Sequence, residues 1–410
     1  MMEENGLPKG WVETTLGEVC DVQSGGTPST KIDSYWNGNI GWITPKDLSN
    51  YKRVFIKKGE RSITKEGLDN SSAKLLPKHT VLFSSRAPIG YVVIADNEIT
   101  TNQGFKNIIC DEEKSHYRYF YYLLKLKTEF IESLSSGSTF SEASGSLMKS
   151  IEVIIPQSIP EQKAIASILT SFDDKIELLQ AQNETLESIA QTIFKKRFGI
   201  YQIGDELPEG WRVGKIGDLI EIKRGGSPRP IKDFISESGY KWLKISDATA
   251  TASPYILNIK ESIRPEGLSK TVLKRKGDLV LSNSATPGLP KILETDTCVH
   301  DGWMHFENAS VSNEYLYLLF QDIKPRLVQQ GSGSVFVNLK TDTLRQFPVA
   351  IPKQSYFNNF DSIIKPIFAK LKYNSHQIQT LQQTRDTLLP KLMSGQLRVT
   401  EFQEQLSEVI

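Results

Sequence analysis

Residues 160–198 read PEQKAIASILTSFDDKIELLQAQNETLESIAQTIFKKRF, and no proline or glycine interrupts 161–198. Apolar side chains recur there at alternating steps of four and three residues, which is typical of a helix that packs along a second helix. The pattern predicts a continuous helix of roughly 55 Å, at 1.5 Å of rise per residue, that needs a partner along its length. Its predicted coiled-coil core comprises Ile165, Leu169, Phe172, Ile176, Leu179, Leu186, Ala190 and Ile193, with Asn183 as a polar member.

The chain repeats itself with a period near 200 residues, and the repeat contains a second long helix. A period of this kind is sought before any single motif, because it decides the whole fold. The matching segments are 7–11 (LPKGW) with 207–211 (LPEGW), 25–28 (GGTP) with 225–228 (GGSP), 103–105 (QGF) with 301–303 (DGW), and 151–156 (IEVIIP) with 347–352 (FPVAIP). Since the matches keep one order, they indicate a tandem duplication.

Each half begins with short β-branched and aromatic runs that Gly/Pro clusters punctuate, a pattern that favours an α+β lobe over a βαβ nucleotide-binding domain. Strands are predicted at 40–43, 81–84, 91–94, 106–109, 241–245 and 279–282, and helices at 117–133 and 313–329. The predicted division is a first lobe at 1–157, a first helical spacer at 158–203, a second lobe at 204–353, and a second helical spacer with the C-terminal tail at 354–410.

The second long helix keeps the rhythm of the first. Its predicted core comprises Phe360, Ile364, Ile367, Leu371, Ile378, Leu381, Leu388 and Leu392, with Asn374 and Arg385 as polar exceptions. Pro366 should kink or delay this helix, because proline removes one backbone hydrogen bond. With a whole lobe between the two helices in sequence, we predict an antiparallel coiled coil, in which the polar members fix the register. The alternative is that each helix packs only on its own lobe.

The composition leaves the partner open. A net charge of +1 and a pI near 7.6 neither demand nor exclude nucleic acid, since a basic face can be balanced elsewhere. Cys20, Cys110 and Cys298 match no metal or redox spacing and are predicted to be reduced, buried thiols. The first residues do not resemble a signal peptide, and no apolar run approaches the roughly 18–20 residues of a membrane span. We therefore expect a soluble cytoplasmic protein.

Six motifs follow one another in the first half of the chain: LPKGW at 7–11, SGGTPS at 24–29, GWI at 41–43 with Asp47, SRAPIG at 85–90, NQGF at 102–105, and the IPEQK helix start at 159–163. In these motifs the chain resembles the specificity subunit of type I restriction-modification systems. With the repeat, the resemblance spans nearly the whole chain. The second half departs at 284–287 (SATP), opposite RAP at 86–88, and at 355–357 (SYF), where the first half has the Pro-Glu-Gln helix entry. These departures suggest a different base readout and a degraded second helix start.

The resemblance implies two target-recognition domains, each of which reads one half of a split, asymmetric DNA site. It implies that the helical regions space these domains and dock two methyltransferase subunits, and that restriction-translocation subunits complete the complex. It also implies that this chain is not itself an enzyme and binds no cofactor. S-adenosylmethionine, ATP and Mg²⁺ are expected on the partner subunits.

Patterns for catalysis are missing from the sequence. It has no Gly-x-x-x-x-Gly-Lys-Ser/Thr phosphate loop and no Asn/Asp-Pro-Pro-Tyr/Phe element of adenine methyltransferases. His300 and His305 lack a third ligand, so we interpret them as structural. The segment 173–175 (DDK) imitates a nuclease Asp-x-Lys fragment, but it lies in the amphipathic helix and is predicted to be a solvated face. These absences favour a binding protein that delegates catalysis.

Sequence-specific reading of DNA uses cations on phosphates and forked or amide groups on base edges. Such side chains cluster in the loops that flank the repeated strands. The candidates are Thr27, Ser29, Lys31, Lys46, Ser85, Arg86, Asn102, Gln103 and Ser138 in the first lobe, and Lys223, Arg224, Arg229, Lys244, Asn283, Ser284 and Ser332 in the second. The structural alternatives are tight turns at 25–26 and 225–226, a carboxylate partner for Arg86, and core positions for Trp42 and Trp242.

The leading hypothesis is a DNA specificity subunit, in which the helices hold two lobes at successive major grooves about 34 Å apart. Inserting four residues, about 6 Å of helix, into 175–195 should then lengthen the unread spacer of the DNA site by one or two base pairs. An unchanged spacer would refute that role. The alternatives are a specificity subunit of a methylation-only system, a free-standing nuclease, and a coiled-coil scaffold without DNA readout.

Overall fold

The computed structural model describes residues 7–135, 142–199, 206–329 and 338–399. The chain forms two compact units, Met1–Glu177 with Leu381–Ile410, and Leu178–Thr380. Each unit contains one lobe and a part of both long helices. No helix within the described ranges is long and apolar enough to span a membrane.

The first lobe contains ten strands and five α-helices in its described residues. The strands are β1 (Trp11–Thr15), β2 (Cys20–Ser24), β3 (Trp36–Ile43), β4 (Phe55–Ile56), β5 (Arg61–Ile63), β6 (Val81–Ser85), β7 (Ile89–Ala95), β8 (Thr100–Thr101), β9 (Phe105–Cys110) and β10 (Glu152–Pro156). The helices are α1 (Leu16–Val19), α2 (Pro45–Leu48), α3 (Lys65–Asp69), α4 (Tyr117–Ser135) and α5 (Gly145–Ser150). The strands form a five-stranded sheet in the order β2-β9-β6-β7-β4, a three-stranded sheet β5-β3-β8, and the pair β1-β10.

Strand β6 lies at the centre of the five-stranded sheet and is buried on both faces. Side chains alternate across a strand, so its residues belong to two different cores. Val81 and Phe83 pack with Phe120 of α4, whereas Leu82 packs with Phe105 on the opposite face. The continuous apolar run VLF is therefore explained by burial on both sides of the sheet.

The helix α6 (Ile159–Phe194) follows the first lobe and ends in a π-helical turn, Lys195–Gly199. The second lobe contains β11 (Arg212–Lys215), β12 (Glu221–Arg224), β13 (Ile235–Ser236), β14 (Tyr240–Leu243), β15 (Tyr255–Ile256), β16 (Glu261–Ile263), β17 (Val272–Lys274), β18 (Leu279–Ser282), β19 (Pro290–Leu293), β20 (Thr297–Val299), β21 (Trp303–Glu307) and β22 (Pro348–Ile351). Its helices are α7 (Ile245–Thr249), α8 (Asn313–Gln329) and α9 (Thr341–Arg345), and α10 (Gln354–Met393) follows.

The second lobe repeats the topology of the first, which confirms the predicted duplication and the α+β class. Its sheet β12-β21-β18-β19-β15 corresponds strand by strand to β2-β9-β6-β7-β4. A second sheet, β13-β16-β14-β20-β17, contains the counterparts of β5-β3-β8 as its middle strands, and β11 pairs with β22 as β1 pairs with β10. The central strand β18 again divides its side chains between two cores.

Helices α6 and α10 run antiparallel within each unit. In the second unit the Nδ2 atom of Asn374 donates to Asn183 Oδ1 at 2.9 Å, and the rings of Phe194 and Phe360 lie 6.0 Å apart. In the first unit Ile165 and Leu169 share a core with Leu392. The supercoiling of the pair stays a prediction.

The predicted helix-core residues are buried or half-buried. The buried members are Ile165, Leu169, Ile176, Leu179, Ala190, Phe360, Ile364, Leu371 and Leu392, and the half-buried members are Phe172, Asn183, Leu186, Ile193, Ile367, Ile378, Leu381 and Leu388. Of the two effects predicted for Pro366, the delay of the second helix is wrong, because α10 begins at Gln354, and the kink stays a prediction. Proline costs the helix only one backbone donor, and Phe360, Ile364 and Phe368 pack into the core on both sides of it.

The prediction of a solvated face at 173–175 is wrong for Asp173. Asp174 and Lys175 are exposed, but Asp173 is only 4% exposed. Its carboxylate accepts a hydrogen bond from Tyr122 Oη at 2.6 Å and forms an ion pair with Arg385. Arg385, a polar exception in the core of α10, therefore pairs with the buried carboxylate of Asp173 in α6.

The three cysteines are free. Cys20 and Cys298 are buried as predicted, whereas Cys110 is only half-buried. Cys20 lies directly opposite Cys110 in the β2–β9 register. Cys20 and Cys110 are therefore cross-strand neighbours, although they lie far apart in the sequence.

Candidate nucleic-acid interface

In the first lobe two loops meet where β2 ends and β9 begins. Because β2 and β9 are antiparallel neighbours, the loop after one lies beside the loop before the other. The backbone N–H of Gly25 donates to the carbonyl of Phe105 at 3.4 Å, and that of Gly26 to the carbonyl of Thr101 at 2.9 Å. We call residues 24–29 and 101–105 the first paired-loop site.

The second lobe builds the same arrangement at the ends of β12 and β21. Here the N–H of Gly225 donates to the carbonyl of Trp303 at 2.9 Å, and that of Gly226 to the carbonyl of Val299 at 3.1 Å. Residues 224–229 and 299–303 form the second paired-loop site. The two sites therefore share one backbone frame.

Close approach of the two loops explains the first glycine of each site. A Cβ on Gly25 would lie 2.1 Å from the carbonyl oxygen of Asn102, and one on Gly225 would lie 2.3 Å from that of His300. Neither glycine has a left-handed backbone. Space for the facing backbone, rather than the conformation of a tight turn, thus requires glycine here.

The two tryptophans are core residues, which is the structural alternative considered for them. Trp42 is 5% exposed, and its Nε1 donates to the carbonyl of Gly26 at 2.9 Å. This buried indole therefore supports the backbone of the first paired-loop site. Trp242 is 3% exposed and packs 5.7 Å from the ring of His300. Neither indole is placed to stack on a base.

Uncharged polar side chains line the first site. Thr27 Oγ1 donates to Gln103 Oε1, and Gln103 is exposed. Asn102 turns inward, where its Oδ1 accepts from the N–H of Gly104 at 2.9 Å. Ser29 and Lys31 are exposed on the same loop.

Charged side chains converge on Asp301 in the second site. Ser227 Oγ donates to Asp301 Oδ1 at 2.7 Å, and Arg229 Nη2 lies 3.3 Å from Oδ2. Arg224 Nε donates to the backbone carbonyl of Asp301 at 2.5 Å, and Asn283 Nδ2 donates to the same oxygen at 3.1 Å. The hydrogen bond from Ser227 is the main cause that lowers the pKa of Asp301. The carboxylate is therefore ionised at neutral pH.

His300 supports the turn of the second site in its neutral form. Burial lowers the pKa of its imidazole, and Nδ1 accepts from the N–H of Gly302 at 2.8 Å. It occupies the position of Asn102 in the first lobe, and both side chains accept a hydrogen bond from the glycine of the turn. No group of three or more His, Cys, Asp or Glu side chains in the described ranges could hold a metal ion.

Other predicted DNA-binding residues lie outside the paired-loop sites. Arg86 pairs with Glu142 at 3.5 Å, as its structural alternative anticipated, and Ser85 is fully buried beside Lys106. Asn283 is also buried, so it and Ser85 do not present their side chains to a base edge.

The remaining candidates are partly engaged or undescribed. Lys46 pairs with Glu60 at 3.1 Å, Lys223 with Glu307 at 2.6 Å, and Lys244 with Glu261. Ser284 is half-buried. Ser138 and Ser332 lie outside the described residues.

Asp301 is the site residue that the sequence analysis missed. The two arginines were predicted as DNA contacts, but the residue that holds them, through its backbone carbonyl and its carboxylate, lies more than 70 residues away along the chain. The repeat contains a signal that identifies it, since QGF at 103–105 aligns with DGW at 301–303 and places Asp301 opposite the candidate Gln103.

Two copies of one lobe, each with a paired-loop site on the same backbone frame but with different side chains, define a duplicated binding protein with two unlike sites. A family model described as "Type I restriction modification DNA specificity domain" matches residues 8–188 and 208–383, and the chain belongs to this family.

Relatives match over nearly the full chain. The type I restriction enzyme MjaIX specificity subunit of Methanocaldococcus jannaschii is 34% identical over 416 residues, covering 97% of this chain and 95% of the relative. The HindI specificity subunit of Haemophilus influenzae is 23% identical over 470 residues, covering 94% and 99%. The crystal structure of a type I restriction-modification S subunit from M. genitalium has a TM-score of 0.57 at 19% identity, covering 96% of this chain and 98% of that chain, which shows a shared fold.

Proposed function

We propose that this chain is the DNA-reading subunit of a type I restriction-modification complex, with each lobe reading one half of a bipartite, asymmetric site. The observation that carries the proposal is the pair of paired-loop sites. They share a main-chain frame and differ in the side chains that they present. A common main-chain frame with different side chains is expected of two domains that recognise different DNA sequences.

The chemistry of the two sites fits base reading. Forked guanidinium groups and amides are the side chains that bond to base edges in the major groove. Arg224, Arg229 and Gln103 are all exposed at these sites. Exposed lysines such as Lys31 supply the phosphate contacts that position a lobe without reading sequence.

Catalysis belongs to partner subunits in this proposal. Two methyltransferase subunits dock on the helical regions, restriction-translocation subunits join them, and S-adenosylmethionine, ATP and Mg²⁺ bind to those partners. The names of the relatives support a role in such a system. The narrower alternative is a methylation-only system, in which this chain has the same role and the restriction subunits are not part of the complex.

The test is methylome sequencing of a host that expresses the full chain together with its cognate methyltransferase. We expect methylated adenines in two different short words separated by a fixed spacer. A host that expresses the methyltransferase alone is the control and should lack that motif. Methylation without a bipartite motif, or the same motif in the control, would overturn the proposal and favour a scaffold without DNA readout.

A further inference from the structure

We infer that the two paired-loop sites read different base pairs: the Arg224–Arg229–Asp301 set reads the guanine of a G·C pair, and Gln103 reads the adenine of an A·T pair. The inference rests on the proposed function, since it names what each lobe recognises. It predicts that the two half-sites differ at the position that each paired-loop site contacts.

The shared frame makes the positions of the two lobes comparable. Besides the glycine hydrogen bonds, each turn is closed by one further bond, from Phe105 N to Asn102 O at 3.2 Å and from Trp303 N to His300 O at 3.0 Å. The central strand also bonds to each turn, through Ser85 N to Gly104 O at 2.7 Å and Asn283 N to Gly302 O at 2.9 Å.

Three positions on this frame change between an uncharged and a charged side chain. They are Ser24 against Arg224, Ser29 against Arg229, and Gln103 against Asp301. Changes of charge at the solvent-accessible edge of an equivalent frame are expected of specificity, because they leave the frame itself unchanged.

In the second site Arg224 is held in an orientation that suits guanine. Its Nε is bonded to the carbonyl of Asp301, so the contact that fixes the side chain does not use the two terminal nitrogens, which form the fork of the guanidinium. A guanidinium fork matches the O6 and N7 acceptors of guanine. Because the side chain is already ordered at the end of β12, less conformational entropy is lost when it binds.

Asp301 also restrains Arg229, whose side chain is 80% exposed. A surface ion pair of this kind adds little stability. A purely structural role for that ion pair therefore does not explain why Arg224 and Arg229 converge on one residue, at its backbone carbonyl and its carboxylate, at the exposed edge of the site. Orientation for a ligand that accepts hydrogen bonds explains it.

In the first site no cation replaces these arginines, and the reader is an amide. Thr27 donates to Gln103 Oε1, which fixes the amide so that Oε1 keeps a second lone pair and Nε2 remains the donor edge. That pattern is complementary to N6–H and N7 of adenine.

The test is the methylome of cells that express the full chain with its methyltransferase, comparing wild type with Arg224→Ala, Arg224→Lys, Arg229→Ala and Gln103→Ala. We expect Arg224→Ala to broaden one guanine of one half-site, with a loss of discrimination of roughly 5- to 150-fold, the range for one bidentate contact. Arg224→Lys keeps the charge but loses the fork, so it should broaden the same position. Arg229→Ala should broaden it more weakly, because an exposed side chain held by one surface ion pair loses more conformational entropy when it binds a base. Gln103→Ala should broaden an adenine in the other half-site.

Three results would overturn the inference. They are full discrimination in Arg224→Lys, a uniform loss of methylation without broadening in Arg224→Ala, and a wild-type half-site without guanine at the affected position. A variant with no methylation is tested by competition binding of its purified complex to duplexes that differ only at that base pair, and equal discrimination to wild type would also overturn it. Absence of any bipartite motif in the wild type would instead overturn the proposed function.

Discussion

Removing Arg385 should destabilise the first unit by about 3–5 kcal/mol, the range measured when one partner of a buried ion pair is deleted. The side chain of Asp173 is 6% exposed and that of Arg385 is 15% exposed. In Arg385→Met the carboxylate would keep its hydrogen bond from Tyr122 but lose its charge partner. The buried negative charge is then uncompensated, which is the origin of the cost.

The assay is thermal and chemical denaturation of the full chain, following the transition of the first unit. For a unit of this size about 1 kcal/mol corresponds to roughly 2–4 °C in Tm, so a loss of about 3 kcal/mol should lower that Tm by roughly 6–12 °C. Asp386→Asn is the matched control, because Asp386 contacts the same guanidinium at 2.7 Å but is 61% exposed. We expect it to change stability by less than about 1 kcal/mol.

The double variant Asp173→Leu/Arg385→Met separates the two explanations of a loss. If the cost comes from an unpaired buried charge, removing both charges should restore most of the stability. A loss of less than about 1 kcal/mol in Arg385→Met, or a double variant as unstable as the sum of the single ones, would refute the reasoning.

Three further predictions follow from single residues. Burial raises the pKa of Glu187, whose carboxylate accepts a hydrogen bond from Tyr317 Oη at 2.7 Å. Glu187→Gln removes the cost of burying the charged form, so it should raise Tm at pH 7 by a few degrees. The gain should disappear as the pH falls through the raised pKa, because the wild-type carboxyl is then neutral. Burial lowers the pKa of His116 to about 4, so on acidification this side chain is protonated in the unfolded chain before it is protonated in the folded chain. The stability of the protein should therefore fall between about pH 6.5 and 4, and it should fall less steeply in His116→Phe. Gly25→Ala places a Cβ against the facing backbone and should cost about 1–3 kcal/mol and impair reading of one half-site.

Each of these has its own check. For Glu187→Gln, a pH-independent gain in a Tm-against-pH series would exclude the ionisation argument. For His116→Phe, an unchanged slope of stability against pH below 6.5 would do the same. Gly145→Ala is the control for Gly25→Ala, since a Cβ at Gly145 has no neighbour closer than 3.9 Å, and equal effects in denaturation would contradict the close-approach explanation.

The architecture could be predicted because it depends on patterns that are local or repeated. The heptad seam predicted α6, and the matching segments of the two halves predicted a second lobe with the same strand order. Both signals come from many residues together, so a single departure such as Pro366 did not change the result. The antiparallel direction followed from the insertion of a lobe between the helices.

The pairings of single polar residues could not be predicted in the same way. Asp173 was interpreted as solvated because its partner Arg385 is 212 positions away in sequence, and nothing local marks an acid as buried. Ser85 looked like a surface hydroxyl beside Arg86, but it is the last residue of a fully buried central strand. Asp301 was recognisable only through its alignment with Gln103.

The shared main-chain frame of the paired-loop sites also bears on how new recognition arises. All the hydrogen bonds that define the frame are between backbone groups, so they do not depend on the side chains at 24, 29 and 103 or at 224, 229 and 301. Substitutions at these positions can therefore alter the target without unfolding the lobe. A few point mutations in one lobe can then change the DNA half-site that this lobe recognises, while the other lobe keeps its original half-site.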